Sequence, residues 1–154
     1  MSRISLEKMK IEHFLPQSVY PSEALEYSNL LAVCRGYEGE CSQNQTCDTK
    51  KSNGIISINP LNKTHINNIT YSNDGTINST SYHNDLHTIL NLNLNSLKNN
   101  RKKVLDDFKQ KIYNRFKNKS MNKDTIKRMI EKYEHNPTKE VYIGIVISYL
   151  KNRV

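Results

Sequence analysis

The chain has no apolar run near the roughly 20 residues that a bilayer-spanning helix needs. Its most apolar stretch, Val141 to Leu150, is short and interrupted by Gly144 and Ser148. No apolar signal segment stands at the N-terminus, and the cysteines, Cys34, Cys41 and Cys47, are odd in number, so a secreted disulfide scaffold is not expected. Hydrophobic residues are scarce, at 36% with a mean hydropathy of -0.74. Over 154 residues that permits one domain, or a small module with a helical tail, and a modest core, with a metal as one way for a small N-terminal module to be held. No internal repeat is evident, and nothing is low-complexity beyond an enrichment in Asn. These absences leave a soluble, cytoplasmic protein as the simple expectation.

Positive charge is plentiful. Lys and Arg outnumber Asp and Glu by 23 to 15, giving +8 and a pI near 9.4, which favours a polyanionic partner. Lys- and Asn-rich coding gives the same numbers with no binding role, so charge alone does not decide.

The chain is organised around Lys10–Ser18. After a single turn near Ser5 and Lys8, residues Lys8 to Phe14 alternate loosely and predict a strand, which Pro16 ends because proline cannot donate to a ladder. This strand delivers Glu12 beside His13, and alternation sends the two side chains to opposite faces. Pro21 to Tyr27 predicts a short helical turn. Ser28 to Cys34 is an apolar run too short to assign by period. A polar loop from Gly36 to Gln45 follows, then a short basic helix from Cys47 to Lys51, closed by Asn53-Gly54. Ile55 to Pro60 predicts a strand, residues around His65 an Asn-rich loop, and Ile69 to Ile77 a hairpin turning at Asp74-Gly75.

From Leu86 the pattern is helical. Leu97, Val104, Leu105, Phe108, Ile112 and Phe116 share one face, opposite Lys98, Arg101, Lys102, Lys109, Lys111 and Arg115. A second helix uses Ile126, Met129, Ile130 and Tyr133 and stops near Asn136-Pro137. A third starts at a Thr138 cap and carries Val141, Tyr142, Ile145, Tyr149 and Leu150. His83 and His87 lie four apart in a loop-like segment without a glutamate between them and read as surface residues; His135 reads as a helix-end residue.

One constellation suits chemistry. Hydrolysis of a phosphodiester needs a base for the attacking water and a cation for the developing charge. An unperturbed imidazole changes charge near neutral pH, so His13 suits the base. Glu12 and Asp48 offer the oxygens a hard cation prefers. Asn29, sixteen residues after His13, can pin the intervening loop or orient the histidine. Lys50 and Lys51 are placed to meet phosphate oxygens, and Cys34 and Cys47 could supply two thiolates to a structural zinc. Singly, each has an ordinary explanation; the order Glu-His, Asn-Leu-Leu, Cys, Cys-Asp-x-x-Lys is far more specific.

That order resembles the HNH endonuclease family, through Glu12 to Ser18, Asn29-Leu30-Leu31, Cys34 and Cys47 to Lys51. More narrowly it resembles the HNH proteins of the Septu and retron anti-phage systems, the PtuB-like branch. Tyr20-Pro21, Tyr27-Ser28, Ile58-Asn59-Pro60, Leu90 to Asn93 and Asn100-Arg101 carry that closer likeness, which covers about residues 10 to 112. The resemblance implies an α+β fold: a ββα-metal finger with an added β-hairpin over residues 1–85, then a small helical region over 86–154. It implies a metal-dependent nuclease of bacterial anti-phage defence, cutting DNA. His13 is then the general base, Asn29 the structural Asn, and Glu12 and Asp48 the ligands of Mg²⁺ or Mn²⁺. Cys34 and Cys47 would be half of a Zn²⁺ site. It also implies an ABC-type ATPase partner (PtuA-like) and, in some systems, a retron reverse transcriptase with its DNA–RNA hybrid. The family's upstream Cys-x-x-Cys is missing before Glu12, so the chain is expected to begin inside a longer reading frame; loss of the zinc, or Cys41 as a third ligand, are the alternatives. The competing function is a non-catalytic basic subunit that binds nucleic acid or a partner and carries a degenerate finger.

Overall fold

The computed structural model describes residue 4, residues 6–117 and residues 121–154. The expectation for Ser5 lies outside the described residues. The fold is mixed α+β and divides into two compact units. One comprises Ile4–Ile69 with Asn78–Leu94; the other comprises Thr70–Ile77 and Asn95–Val154. The hairpin thus groups with the C-terminal helices, and the division falls after Leu94 where residue 85 was expected.

In the first unit, β1 (Met9–His13) pairs antiparallel with β2 (Leu30–Cys34), Glu12 opposite Leu31 and His13 opposite Leu30. The apolar run before Cys34 is therefore a strand, entered through a 3-10 turn at Tyr27–Asn29. A polar loop leads to α1 (Cys47–Lys51). Gly36, at φ +55°, brings that loop onto α1: its carbonyl accepts from Thr46 N at 2.9 Å, and a Cβ on it would collide with the Thr46 carbonyl.

Ile55 to Pro60 does not form the expected strand. Its amides are taken by a side chain: Ser57 N and Ile58 N both donate to Asp85 Oδ2, at 2.6 and 2.8 Å. Buried Asp85 thereby does the work of a partner strand, while Ile56, Ile58 and Leu86 are buried in this small unit. The Asn-rich loop contains α2 (Lys63–Asn67), because the Asn62 side chain caps the amides of Thr64 and His65. His65 is structural, accepting from Asn59 N through Nδ1 at 3.1 Å. His83 is exposed, but its segment is not a loop; Asp85–Ile89 is a π-helical turn that stacks His83 on half-buried His87, centroids 4.1 Å apart.

In the second unit, β3 (Thr70–Tyr71) and β4 (Ile77–Asn78) form the predicted hairpin. Of the Asp-Gly pair, Gly75 alone takes positive φ, at +87°. The helices are α3 (Asn95–Phe116), α4 (Lys123–His135) and α5 (Ile143–Lys151). Leu105, Phe108, Ile126, Ile145, Val146 and Leu150 form their shared core, as the helical spacing predicts. Asn122 caps α4 by accepting from Thr125 N at 2.8 Å, and His135 is its last residue. Thr138 does not cap α5, which begins at Ile143 after Tyr142 turns left-handed at φ +56°. Arg101 does not lie on the solvated face of α3 either: it is 4% exposed and its Nε donates to Gly75 O at 2.6 Å, tying helix to hairpin. Among the described residues no helix is long and apolar enough to cross a membrane.

Candidate active site

The order β1, β2, α1 brings residues distant in sequence to one surface cleft of about 790 Å³. Glu12 and His13 from the end of β1 and Asp48 from the first turn of α1 line it, with Lys10, Gln17, Ser18 and Thr49 among the rest. Alternation predicted opposite faces for Glu12 and His13, yet both reach this cleft. His13 is the last strand residue, where the chain leaves the sheet for the loop.

Asn29 fixes that loop. It is 4% exposed. Its Oδ1 accepts from Leu15 N at 2.7 Å, while Nδ2 donates to Leu15 O at 3.1 Å and Glu23 O at 3.0 Å. The backbone adds Phe14 N to Asn29 O at 2.8 Å. Of the two roles open to Asn29, pinning the loop is the one its bonds perform. The pinned loop in turn presents Ala24 O to His13 Nε2 at 2.9 Å. A carbonyl only accepts, so Nε2 carries the proton and Nδ1 is the basic nitrogen.

Two acids and two lysines complete the site. The Asp48 carboxyl lies within hydrogen-bonding reach of Glu12, and burial together with that neighbouring acid raises the Glu12 carboxyl above its usual range, against an opposing pull from Lys51. Lys51 Nζ meets Glu12 Oε1 at 2.8 Å and His13 O at 3.0 Å. It is 5% exposed, so its expected role as a phosphate contact gives way to an internal one. Lys50 is also engaged, donating to Ser42 O at 2.9 Å. Lys10, which sequence reasoning passed over, pairs with Asp48 Oδ2 at 3.1 Å and Glu38 Oε1 at 3.2 Å. Its signal was its spacing, two residues before Glu12 on a strand and hence on the same face.

The acid pair suits a hard divalent cation in kind, since both donors are carboxylate oxygens and lie adjacent. Cys34 and Cys47 also come together, Sγ to Sγ 3.5 Å, and the hydrogen bond between the two sulfurs lowers the Cys34 thiol to about 6. Cys41 is exposed. Among the described residues no group of three His, Cys, Asp or Glu forms a metal cluster. Cys41 is not grouped with the pair among the described residues, and two thiols alone do not complete a tetrahedral zinc.

No family model matches the chain, and no solved structure matches it. Among curated proteins it is similar to "Retron Vc95 putative HNH endonuclease" of Vibrio cholerae serotype O1 biovar El Tor. The two are 30% identical over 115 residues, covering 68% of this chain and 55% of that protein. The chain thus spans about half the length of the relative it matches. The likeness is weak.

Proposed function

We propose that the chain is a metal-dependent HNH endonuclease that hydrolyses DNA phosphodiester bonds as the effector of a retron- or Septu-type anti-phage system. The observation that carries this reading is the convergence of Glu12, His13 and Asp48, from segments 35 residues apart, on one cleft beside a loop locked by Asn29. His13 takes the proton of the attacking water at Nδ1, with Ala24 O holding the ring and stabilising the imidazolium through Nε2–H. Glu12 and Asp48 would hold Mg²⁺ or Mn²⁺, which supplies charge stabilisation at the phosphate and the departing oxygen. Lys51 and Lys10 hold these two acids in place by ion pairs. In this reading the partners are an ABC-type ATPase and, in the retron form, a reverse transcriptase with its DNA–RNA hybrid; the name of the relative supports the retron association. Zinc at Cys34 and Cys47 would need ligands beyond the described residues.

Nicking of supercoiled plasmid with Mg²⁺ or Mn²⁺ tests the proposal. His13→Ala should cut about 10²- to 10⁴-fold more slowly than the wild type. Equal cutting by both proteins overturns the assignment of His13. The competing reading, a non-catalytic binding subunit, draws on the occupation of Glu12 by Lys51; it requires salt-sensitive binding with no cutting under either metal.

A further inference from the structure

The two halves of the chain differ in charge. Residues 95–154 hold 16 of the 23 Lys and Arg but 6 of the 15 Asp and Glu, a formal +10, while residues 1–94 carry -2. The half that bears the cleft is therefore not the half that attracts a polyanion.

The structure divides the positive charge further. In the first half of α3 the lysines are neutralised: Lys98 by Asp74 at 3.0 Å, Lys102 by Asp106 at 2.5 Å and Lys103 by Asp107 at 3.1 Å. Arg101 is buried against Gly75. From residue 108 to residue 123 the sequence has six Lys or Arg and no acid. Within it Lys111, Arg115, Lys117 and Lys123 are exposed, and among the described residues no carboxylate pairs with them. A solvated helix face needs lysines, but it does not need them stripped of every counter-charge from Phe108 to the end of α3. Uncompensated cations are what the phosphate backbone of a nucleic acid binds.

We propose that this acid-free surface, the C-terminal half of α3 with the start of α4, is the nucleic-acid docking surface of the chain, gripping duplex DNA by its phosphates without reading sequence. The choice of duplex DNA rests on the nuclease reading; the docking surface does not. The test uses the full chain and a fluorescent duplex of mixed sequence, with anisotropy followed across salt. Lys111→Gln/Arg115→Gln/Lys117→Gln removes three phosphate contacts. The slope of log Kd against log salt should fall by about 2.7, and the loss of affinity between about 50 and about 200 mM salt should shrink about 40-fold. Lys102→Gln/Lys103→Gln removes two lysines whose charge is already matched and should shift the slope by less than about one. Circular dichroism of both variants should match wild type, because the substituted side chains are exposed.

An unchanged slope in the triple variant overturns the proposal, as does an equal fall in the paired-lysine variant. Wild type that binds anionic phosphatidylserine vesicles but no duplex also overturns it and assigns the surface to a membrane. His13→Ala separates the two readings: it should bind with the wild-type slope and fail to cut. Wild type that never cuts, beside a triple variant that loses binding, refutes the nuclease and leaves the docking surface standing.

Discussion

Lys51→Met is the sharpest test of how the cleft is held together. The Lys51 side chain is 3% exposed and its ammonium touches two acceptors, Glu12 Oε1 at 2.8 Å and His13 O at 3.0 Å. Methionine fills similar space and removes both bonds. Breaking a fully buried pair costs about 3–5 kcal/mol, because the remaining charge is stranded. Glu12 is 21% exposed, so water recovers part of that loss, and about 2–4 kcal/mol remains. With a urea dependence of about 2 kcal/mol per molar, the midpoint should fall by about 1–2 M. Lys50→Met is the control: among the described residues its ammonium bonds Ser42 alone, and the cost should stay under about 1 kcal/mol. If Lys51→Met unfolds within about 0.5 kcal/mol of wild type, the ammonium is not what ties α1 to the end of β1.

Other perturbations probe the same framework. Glu12 carries a raised carboxyl, first from burial and then from Asp48, so the native state binds its proton more tightly than the unfolded chain. Stability is then full below the ordinary carboxylate range and declines as pH rises through the window above it. Glu12→Gln should flatten that decline in urea midpoints taken from about pH 4 to about pH 7, and an unchanged profile refutes it. Asn29→Ala strands Leu15 N and two carbonyls, and should cost about 2–3 kcal/mol and speed exchange of the Leu15 amide at least about tenfold. Asn29→Asp should be no better than Ala, since an oxygen would then face Leu15 O and Glu23 O; recovery of stability would contradict the geometry. Gly75→Ala combines φ +87° with a Cβ that collides with the Lys98 carbonyl, and should lower the melting temperature of the helical unit by several degrees, at least about 4 °C.

How much of this was legible in the sequence depends on the range of the interaction. The amphipathic spacing of Leu105, Phe108, Ile126 and Ile145 declared the helical core, because a helix face is a local property. The Asp-Gly hairpin and the stop at Pro16 are likewise local. Ile55 to Pro60 misled for the opposite reason. Its composition suits a strand, but the partner for its amides is the carboxylate of Asp85, 28 residues beyond Ser57. Arg101 misled similarly, since its acceptor is a hairpin carbonyl that helical periodicity cannot supply.

The site shows the same limit at closer quarters, and one part of it was readable after all. Taking Lys50 and Lys51 together as phosphate contacts treated adjacent residues in a helix as sharing a face. At 3.6 residues per turn they do not, whereas Asp48 and Lys51, three apart, do. Since Asp48 was assigned to the cleft, Lys51 had to turn toward β1 as well, and Lys50 away from it. The structure bears this out: Lys51 reaches Glu12, and Lys50 reaches Ser42 in the outer loop. What helical geometry cannot supply is the pairing of β1 with β2 and the packing of α1 beside them, which decide that the inward lysine meets Glu12. The cleft is thus a local helix rule completed by one nonlocal contact, and Lys51→Met perturbs the nonlocal half while leaving the helix rule intact.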